Sequence, residues 1–401
     1  MDSAPKHPTF LPDASQKLLL EAALWDGEAG LEAWRHWRGN NRIETCDQGS
    51  QRLAPLLYHN LRRNGWNGPE MAVLKGTFRK TWVHNERLAQ MVAPLFWAWH
   101  DLGTSVALLK GAALALKYYP HKGARPMDDL DVLVPIGHIN AAMAAFHQGK
   151  WTSAKGHPVP KAFDTGHLQR KRTQRLANQN GLELELHWYL LEQGRWAGAD
   201  EAVWRHAQPI LIRDAPALVP GPEHLLTHVL VHGAEWNAVP PIRWVADALM
   251  ILRSAGGSFD WGLLLEEMRA RRIALPIRAC LSFLHGAMGA DIPGPVIEAL
   301  EAEKPSPAER LEFRMMDLPK AERSPWRMLW LRHLRLKGLT ASRSWIARLA
   351  TLPDSLRLFW RLDSHWKVPL AAAAFLFGPS AGAHFLLILR RKKQRKDRPA
   401  P

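Results

Sequence analysis

Cysteine is almost missing from this 401-residue chain. The two that occur, Cys46 and Cys280, stand far apart and in no paired motif. That spacing excludes a disulfide framework or a zinc ribbon and fits a reducing compartment. The opening stretch MDSAPKHPTFLPDASQ lacks a basic segment followed by an apolar run, so no secretory signal is expected and the cytoplasm is the expected location. Internal repeats and Ser-His-Asp or Cys-His hydrolase signatures are missing too. Acidic residues are in short supply, 38 against 53 Lys and Arg, for a net charge of +15. The remainder, 47% hydrophobic and 23% charged, is the composition of a globular chain and excludes a disordered one. The length allows two or three structural units.

The excess charge is uneven. The last twelve residues, RRKKQRKDRPAP, hold seven basic residues and one Asp, which is +6 of the +15 and leaves +9 on the body. From Arg323 to Arg348, both included, there are seven Lys or Arg and no acid, with Trp326, Trp330 and Trp345 among them. Basic residues interleaved with aromatics suit phosphate contacts and base stacking, although a solvated helix with inward tryptophans reads the same way. Residues 368–389 carry no Asp, Glu, Lys or Arg. Their length invites a membrane span, but Pro369, Gly378, Pro379, Gly382 and His384 interrupt it. A packed helix, or one lying on an anionic membrane surface beside the basic tail, is the expectation.

Pattern divides the chain into four regions. Residues 1–103 read as helical, with Asp13 or Ser15 capping a helix from Gln16. Residues 104–215 alternate strand and helix, and the strict alternation of LELELHW at 182–188 is the clearest strand. Residues 216–302 return to helical spacing, and 303–401 form a basic helical end after the polar break EKPS. The expected fold is α+β, a small mixed sheet flanked by helices with helical N- and C-terminal parts.

The chemistry centres on Asp129-Leu130-Asp131. On a strand, a period of two puts both carboxylates on one face. Such a pair is comfortable only with a cation between its members. Mg²⁺ or Mn²⁺, which take hard oxygen ligands, suit it. Glu183, Glu185 and His187 share one face of the second strand. If the two strands are neighbours, a third carboxylate joins the pair, and three carboxylates suit a two-metal displacement at phosphorus. Lys110-Gly111 lies at a strand-to-helix turn where backbone can approach a phosphate. Lys110 and Arg125 can add charge to a triphosphate. His228 and His232 share a helix face without the Glu of a zinc protease motif, and structural hydrogen bonding is their default reading. Arg243 and Asp247 are a helix pair on the plain reading; on the sharper one, Arg243 reaches a nucleotide.

The segment LLKGAALALKYYPHKGARPMDDLDVLVP resembles the uncharacterised nucleotidyltransferase family of the DNA polymerase β-like superfamily, as do LELELHW, PEHLLTHVLVHGAEW and IRWVADALMIL. The resemblance runs over roughly residues 15–290. It implies a mixed sheet of five strands or fewer and a helical C-terminal part. It implies Asp129 and Asp131 as metal ligands, Glu185 as the third carboxylate, and Gly111 at the turn holding the nucleotide phosphates. Two departures stand out. Gly111 is followed by Ala112 where the superfamily usually has Ser or Gly, and Asp128 adds a charge that alternation directs away from the site.

The expectation is therefore a metal-dependent transferase that moves NMP from an NTP to a hydroxyl, with Asp129, Asp131 and Glu185 catalytic and metal-binding. Lys110, Gly111 and Arg125 hold the nucleotide, and His187 and Arg243 orient substrate. The acceptor is RNA, a protein or a small molecule. The rival expectation is an inactive protein of the same fold that docks on RNA or an anionic membrane through its tail.

Overall fold

A computed structural model describes residues 8–148, 151–153, 156–238, 242–340, 342, 344–376, 382–387 and 389. The basic tail at 390–401 and part of the apolar stretch at 368–389 lie outside the described residues. The chain divides into two compact units: residues 1–163 with 172–323, and residues 164–171 with 324–401.

The first unit opens with α1 (Ala14–Leu24), α2 (Gly27–Asn40), α3 (Gln48–Gln51), α4 (Ala54–Arg63) and the 31-residue α5 (Met71–Asp101). Asp13, not Ser15, caps α1, in a reciprocal box with Gln16 that satisfies two otherwise orphan backbone donors. The Asn60 amide donates to Ala22 O and Trp25 O, fixing α4 against the end of α1. At 1.5 Å per residue α5 runs about 45 Å. Its buried side, including Leu88, Val92, Phe96 and Trp99, faces the rest of the unit. Trp99 Nε1 donates to Ala142 O. Asn85 donates to Lys122 O and Arg125 O, which clamps the loop leading into the acidic strand.

The sheet follows. Its strands are β1 (Ala107–Leu108), β2 (Leu130–Leu133), β3 (Thr152–Ser153), β4 (Thr173–Ala177), β5 (Glu183–His187), β6 (Gln208–Ile212) and β7 (Ala215–Val219). Between them lie α6 (Lys110–Lys117), α7 (Ile139–Gln148), α8 (Thr165–Arg170) and α9 (Glu201–Arg205). The spatial order is β3-β4-β5-β2-β1-β7-β6. The β2–β5 and β1–β7 pairs are parallel; the others are antiparallel. The sheet thus has seven strands where five or fewer were expected. The surplus includes the β6–β7 hairpin, whose signal Pro209 and Pro216 obscure. Proline is tolerated here because β6 is an edge strand, and Pro216 lies beyond the single β1–β7 register pair, Ala107 with Leu218.

Helices α10 (Pro222–Gly233), α11 (Arg243–Ala255), α12 (Trp261–Arg271), α13 (Ala274–Met288), α14 (Gly294–Ala302) and α15 (Pro307–Met316) complete the first unit. The α10–α11 approach needs Gly233, because a Cβ there would sit 2.4 Å from Trp244 Cγ. On α10 the His224 ring is fully buried, with Nε2 3.4 Å from His206 Nδ1 and Nδ1 3.6 Å from Glu267 Oε1. Burial first, then Arg271 and His206, push it down to about 4 from an ordinary 6.5. The folded chain therefore binds fewer protons there than the unfolded chain. The stability this contributes is complete above about pH 6.5 and is lost as pH falls toward 4, a loss of about 3 kcal/mol. Urea unfolding at pH 7.5 and 4.5 checks this: the acid loss should be smaller in His224→Gln by about that amount. Equal losses in both proteins would refute it.

The second unit holds α8 and the helices α16 (Pro325–Leu336), α17 (Trp345–Ala350), α18 (Leu352–Phe359) and α19 (Lys367–Leu376). Leu356, Trp360, Leu362, Val368, Ala371 and Leu386 form its core. His333 Nδ1 pairs with Ser355 Oγ and its Nε2 with Arg348 O, each at 2.8 Å. Trp326 lies edge-on to Trp360 and Phe375, while Trp345 is exposed. No helix among the described residues is long and apolar enough to cross a membrane.

Candidate active site

The parallel pairing of β2 with β5 sets the site. Its register places Asp131 opposite Glu185 and Leu133 opposite His187. Neighbouring strands are about 4.8 Å apart, so the two carboxylates confront each other across one ladder step. Oxygens of Asp131 and Glu185 and a ring nitrogen of His187 all lie within 4.8 Å of one another. Glu183 pairs with Ala177 at the start of β5 and is exposed. Of the two glutamates that alternation offered, Glu185 is therefore the inward one.

Asp131 is buried at 3% exposure, so its charge must be answered by protein. Lys110 Nζ lies 2.6 Å from its Oδ1 and 3.5 Å from Glu185 Oε2. His187 Nε2 lies 3.0 Å from the same Asp131 oxygen and 3.3 Å from Glu185 Oε2. On its other side, Arg172 Nη1 contacts His187 Nδ1 at 3.1 Å. A guanidinium can only donate, so Nδ1 accepts and the ring proton sits on Nε2, facing the carboxylates. Thr173 Oγ1 donates to Glu185 Oε1 at 3.0 Å, with Arg175 Nε 3.5 Å from the same oxygen. Burial alone would raise both carboxyl groups. For Asp131, the Lys110 ammonium and His187 overcome it and hold the group below its usual range. For Glu185, His187, Lys110 and Arg175 do the same.

Asp129 lies one residue before β2, half-buried, and outside the tight group of ligand atoms. It shares a cavity of about 310 Å³ with Asp131, Lys110, Gly111 and Arg175. Burial and the charge of Asp131 push its carboxyl up. Asp128 is exposed and pairs with Arg52 at the cavity rim. Gly111 has only tight space beside it, since a Cβ would lie 3.0 Å from Met127 Cγ.

Two arginines that the sequence offered to the substrate, Arg125 and Arg243, both line the cavity. Arg125 is the residue paired with Asp247: Nε to Oδ1 and Nη2 to Oδ2, each 2.7 Å, with Tyr119 OH donating to Oδ1 at 2.6 Å. Its Nη1 donates to Pro126 O at 2.5 Å. That buried guanidinium is committed to holding the loop onto α11. Arg243, for which a helix pair with Asp247 was the plain reading and a nucleotide contact the sharper one, donates to Pro126 O at 3.1 Å. It has no ion pair among the described residues and lines the cavity. Burial, then repulsion from Arg125, bring it down to about 9, still mainly charged at neutral pH.

Arg175, His228 and His232 also line the cavity, and none of them had an assigned role in the site. The histidine rings stack in near-parallel planes, centroids 6.2 Å apart. His232 is exposed on the cavity, and desolvation with Lys110 pushes it below its ordinary value. His228 is likewise pushed down, and its buried Nδ1 has no hydrogen-bond partner among the described residues. Their four-residue spacing was visible in the sequence; which wall they face was not.

The donor set fits a hard divalent cation. Carboxylate oxygens from two adjacent strands converge, and a protein ammonium already sits between them as a stand-in cation. A solved structure of an antigenic nucleotidyltransferase-like protein from Paracoccidioides brasiliensis is a distant, partial likeness. It aligns with 52% of this chain and 95% of its own, at 15% identity and a TM-score of 0.34. No curated protein matches. Residues 49–289 match the profile described as uncharacterised nucleotidyltransferase; that span is more than half of the chain and contains every residue of the site, and the chain belongs to that family.

Proposed function

We propose that this chain transfers NMP from an NTP to a hydroxyl acceptor with release of pyrophosphate. The observation that carries the proposal is the Asp131–Glu185 confrontation across β2 and β5, with Asp129 on the same cavity. Asp131 and Glu185, with Asp129, would hold Mg²⁺ or Mn²⁺, which supplies charge neutralisation at the phosphates and acidifies the attacking hydroxyl. His187 donates to the carboxylates and fixes their rotamers, so its role is positioning. Arg243 and Arg175, both on the cavity and the first without an ion pair among the described residues, offer their charges to the triphosphate. Gly111 lets backbone at the start of α6 approach it. The acceptor oxygen attacks the α-phosphorus, a P–O bond forms, and the bond to pyrophosphate breaks.

One observation favours a polyanionic acceptor. A second cavity of about 780 Å³ shares Arg52, Pro126, Met127 and Asp128 with the first. One wall is the exposed side of α5, with Arg79, Lys80, His84 and Arg87. Arg79, Lys80 and Arg87 make no ion pair among the described residues, and Asp128, the acid on this cavity, is already paired with Arg52. Such a groove suits a single-stranded nucleic acid, RNA first, whose terminal hydroxyl enters the neighbouring site.

Incubation with each α-labelled NTP, Mg²⁺ or Mn²⁺ and a single-stranded RNA tests both parts. Label should pass to the RNA. In the full chain carrying Arg79→Glu, Lys80→Glu and Arg87→Glu, the salt slope of RNA binding should fall by about 2, near 0.7 per lost contact. Transfer to none of the NTP and acceptor pairs would sink the enzymatic reading. An unchanged salt slope, or equal competition by polyglutamate, would sink the RNA groove.

A further inference from the structure

Lys110 is more than a cavity lysine. Its backbone is in the left-handed region at φ 44°, unusual for a residue with a side chain, and it begins α6 with one residue between it and β1, an interior strand of the sheet. Strained backbone of this kind persists where the surroundings over-determine it, and it clusters at functional sites. The surroundings are visible. Leu109 N donates to Asp131 O, tying the turn to the acidic strand. The Lys110 chain then folds back so that Nζ reaches both Asp131 Oδ1 and Glu185 Oε2. Asp131 Oδ1 and Glu185 Oε2 are also the oxygens that His187 approaches. Attraction to the carboxylates outweighs burial, so the lysine stays charged.

We propose that Lys110 is a built-in counter-cation that competes with divalent metal for the Asp131 and Glu185 oxygens and turns to the nucleotide phosphates once displaced. The physical reason is exclusion. An ion placed on those oxygens would lie against a like charge 2.6 Å from one of them, and repulsion at that range is severe. Metal entry therefore requires the ammonium to leave. Gly111 and the cavity that holds Asp129 and Arg175 lie beside it, and a freed ammonium there faces the ligand space. The device prevents two buried carboxylates from standing uncompensated, and it lowers apparent metal affinity by the fraction of time that Lys110 holds the site. The inference rests on the proposed metal role of the Asp131–Glu185 pair.

Its test reads metal binding, not turnover. Mn²⁺ affinity is measured by the loss of the free-ion EPR signal in chelator-treated wild type, Lys110→Met, Lys110→Arg and Asp131→Asn. Lys110→Met should bind Mn²⁺ about tenfold tighter if the lysine occupies the site about nine-tenths of the time, Lys110→Arg should stay near wild type, and Asp131→Asn should lose binding. Mn²⁺ should also raise the melting temperature of Lys110→Met more than that of wild type. Should Lys110→Met misfold, acetylation of the wild type by an activated ester, followed by mass spectrometry, gives a second reading. Mn²⁺ should speed acetylation of Lys110 while leaving the exposed Lys75 unchanged. Affinity in Lys110→Met equal to or below wild type, with binding still lost in Asp131→Asn, overturns the counter-cation role alone. Binding retained in Asp131→Asn overturns the metal role of this site and the inference with it.

Discussion

Asp131→Asn is expected to lower kcat/KM for nucleotidyl transfer by about 10³-fold or more, near 4 kcal/mol of transition-state stabilisation, while the protein stays folded. Asn keeps the shape of the side chain and leaves Leu109 N bonded to the backbone carbonyl of residue 131. What it removes is the charge that pairs Lys110 and accepts from His187. Asp131 is buried against both partners, so water cannot replace its charge as it can at a surface carboxylate. Glu183→Gln is the control. Glu183 is exposed on the same strand, and its removal should leave kcat/KM within about twofold. Steady-state transfer of labelled nucleotide, with circular dichroism on both variants, decides the matter. More than a tenth of wild-type activity in folded Asp131→Asn would remove this carboxylate from the chemistry.

The second large effect is structural. Arg125→Ala should destabilise the first unit by about 3–5 kcal/mol, because it strands the Asp247 carboxylate without its side-on partner in the interior. In a unit of this size that is a fall in Tm of about 5–7 °C. Breaking one side of a buried pair costs far more than the pair contributes net. The double variant Arg125→Leu with Asp247→Leu should therefore recover most of the loss, leaving the Tyr119 hydroxyl as the remaining polar debt. Differential scanning calorimetry of Arg125→Leu, Asp247→Leu and the double completes a thermodynamic cycle. A fall below about 2 °C for Arg125→Ala would mean that the pair is solvated and that the guanidinium is free to serve a ligand after all. The loop is held a second time by Asn85, so the acidic strand should keep its position even where stability drops.

These two residues also mark where local reading ends. The alternation around Asp129 and Asp131, the strict period of β5, the reciprocal cap of α1 and the apolar spacing of α10 and α11 all lie within a few residues of one another, and local sterics govern them. Hence the acidic strand, the Glu-and-His strand and the helical flanks were legible without coordinates. So was the Lys-Gly turn. Its lysine, however, was read as a phosphate contact, whereas in the structure it reaches back to Asp131 and Glu185.

What the linear order left open were pairings across long separations. Arg125 meets Asp247 over 122 residues and Lys110 meets Glu185 over 75. The register that sets Asp131 against Glu185 depends on the crossover through α7 and the β4–β5 hairpin, which no short pattern encodes. His228 and His232 become cavity walls only because α10 packs with that side toward the site. A chain specifies its faces by periodicity, and that much the amino-acid order determined: which carboxylates look the same way, which helices have an apolar side, and which residue types are present to hold a cation. Which faces meet, which arginine finds the buried aspartate, and that a lysine supplies the cation between two strands follow from burial. Each charge taken out of water must find a partner in three dimensions, and only the packed tertiary structure decides which partner is within reach.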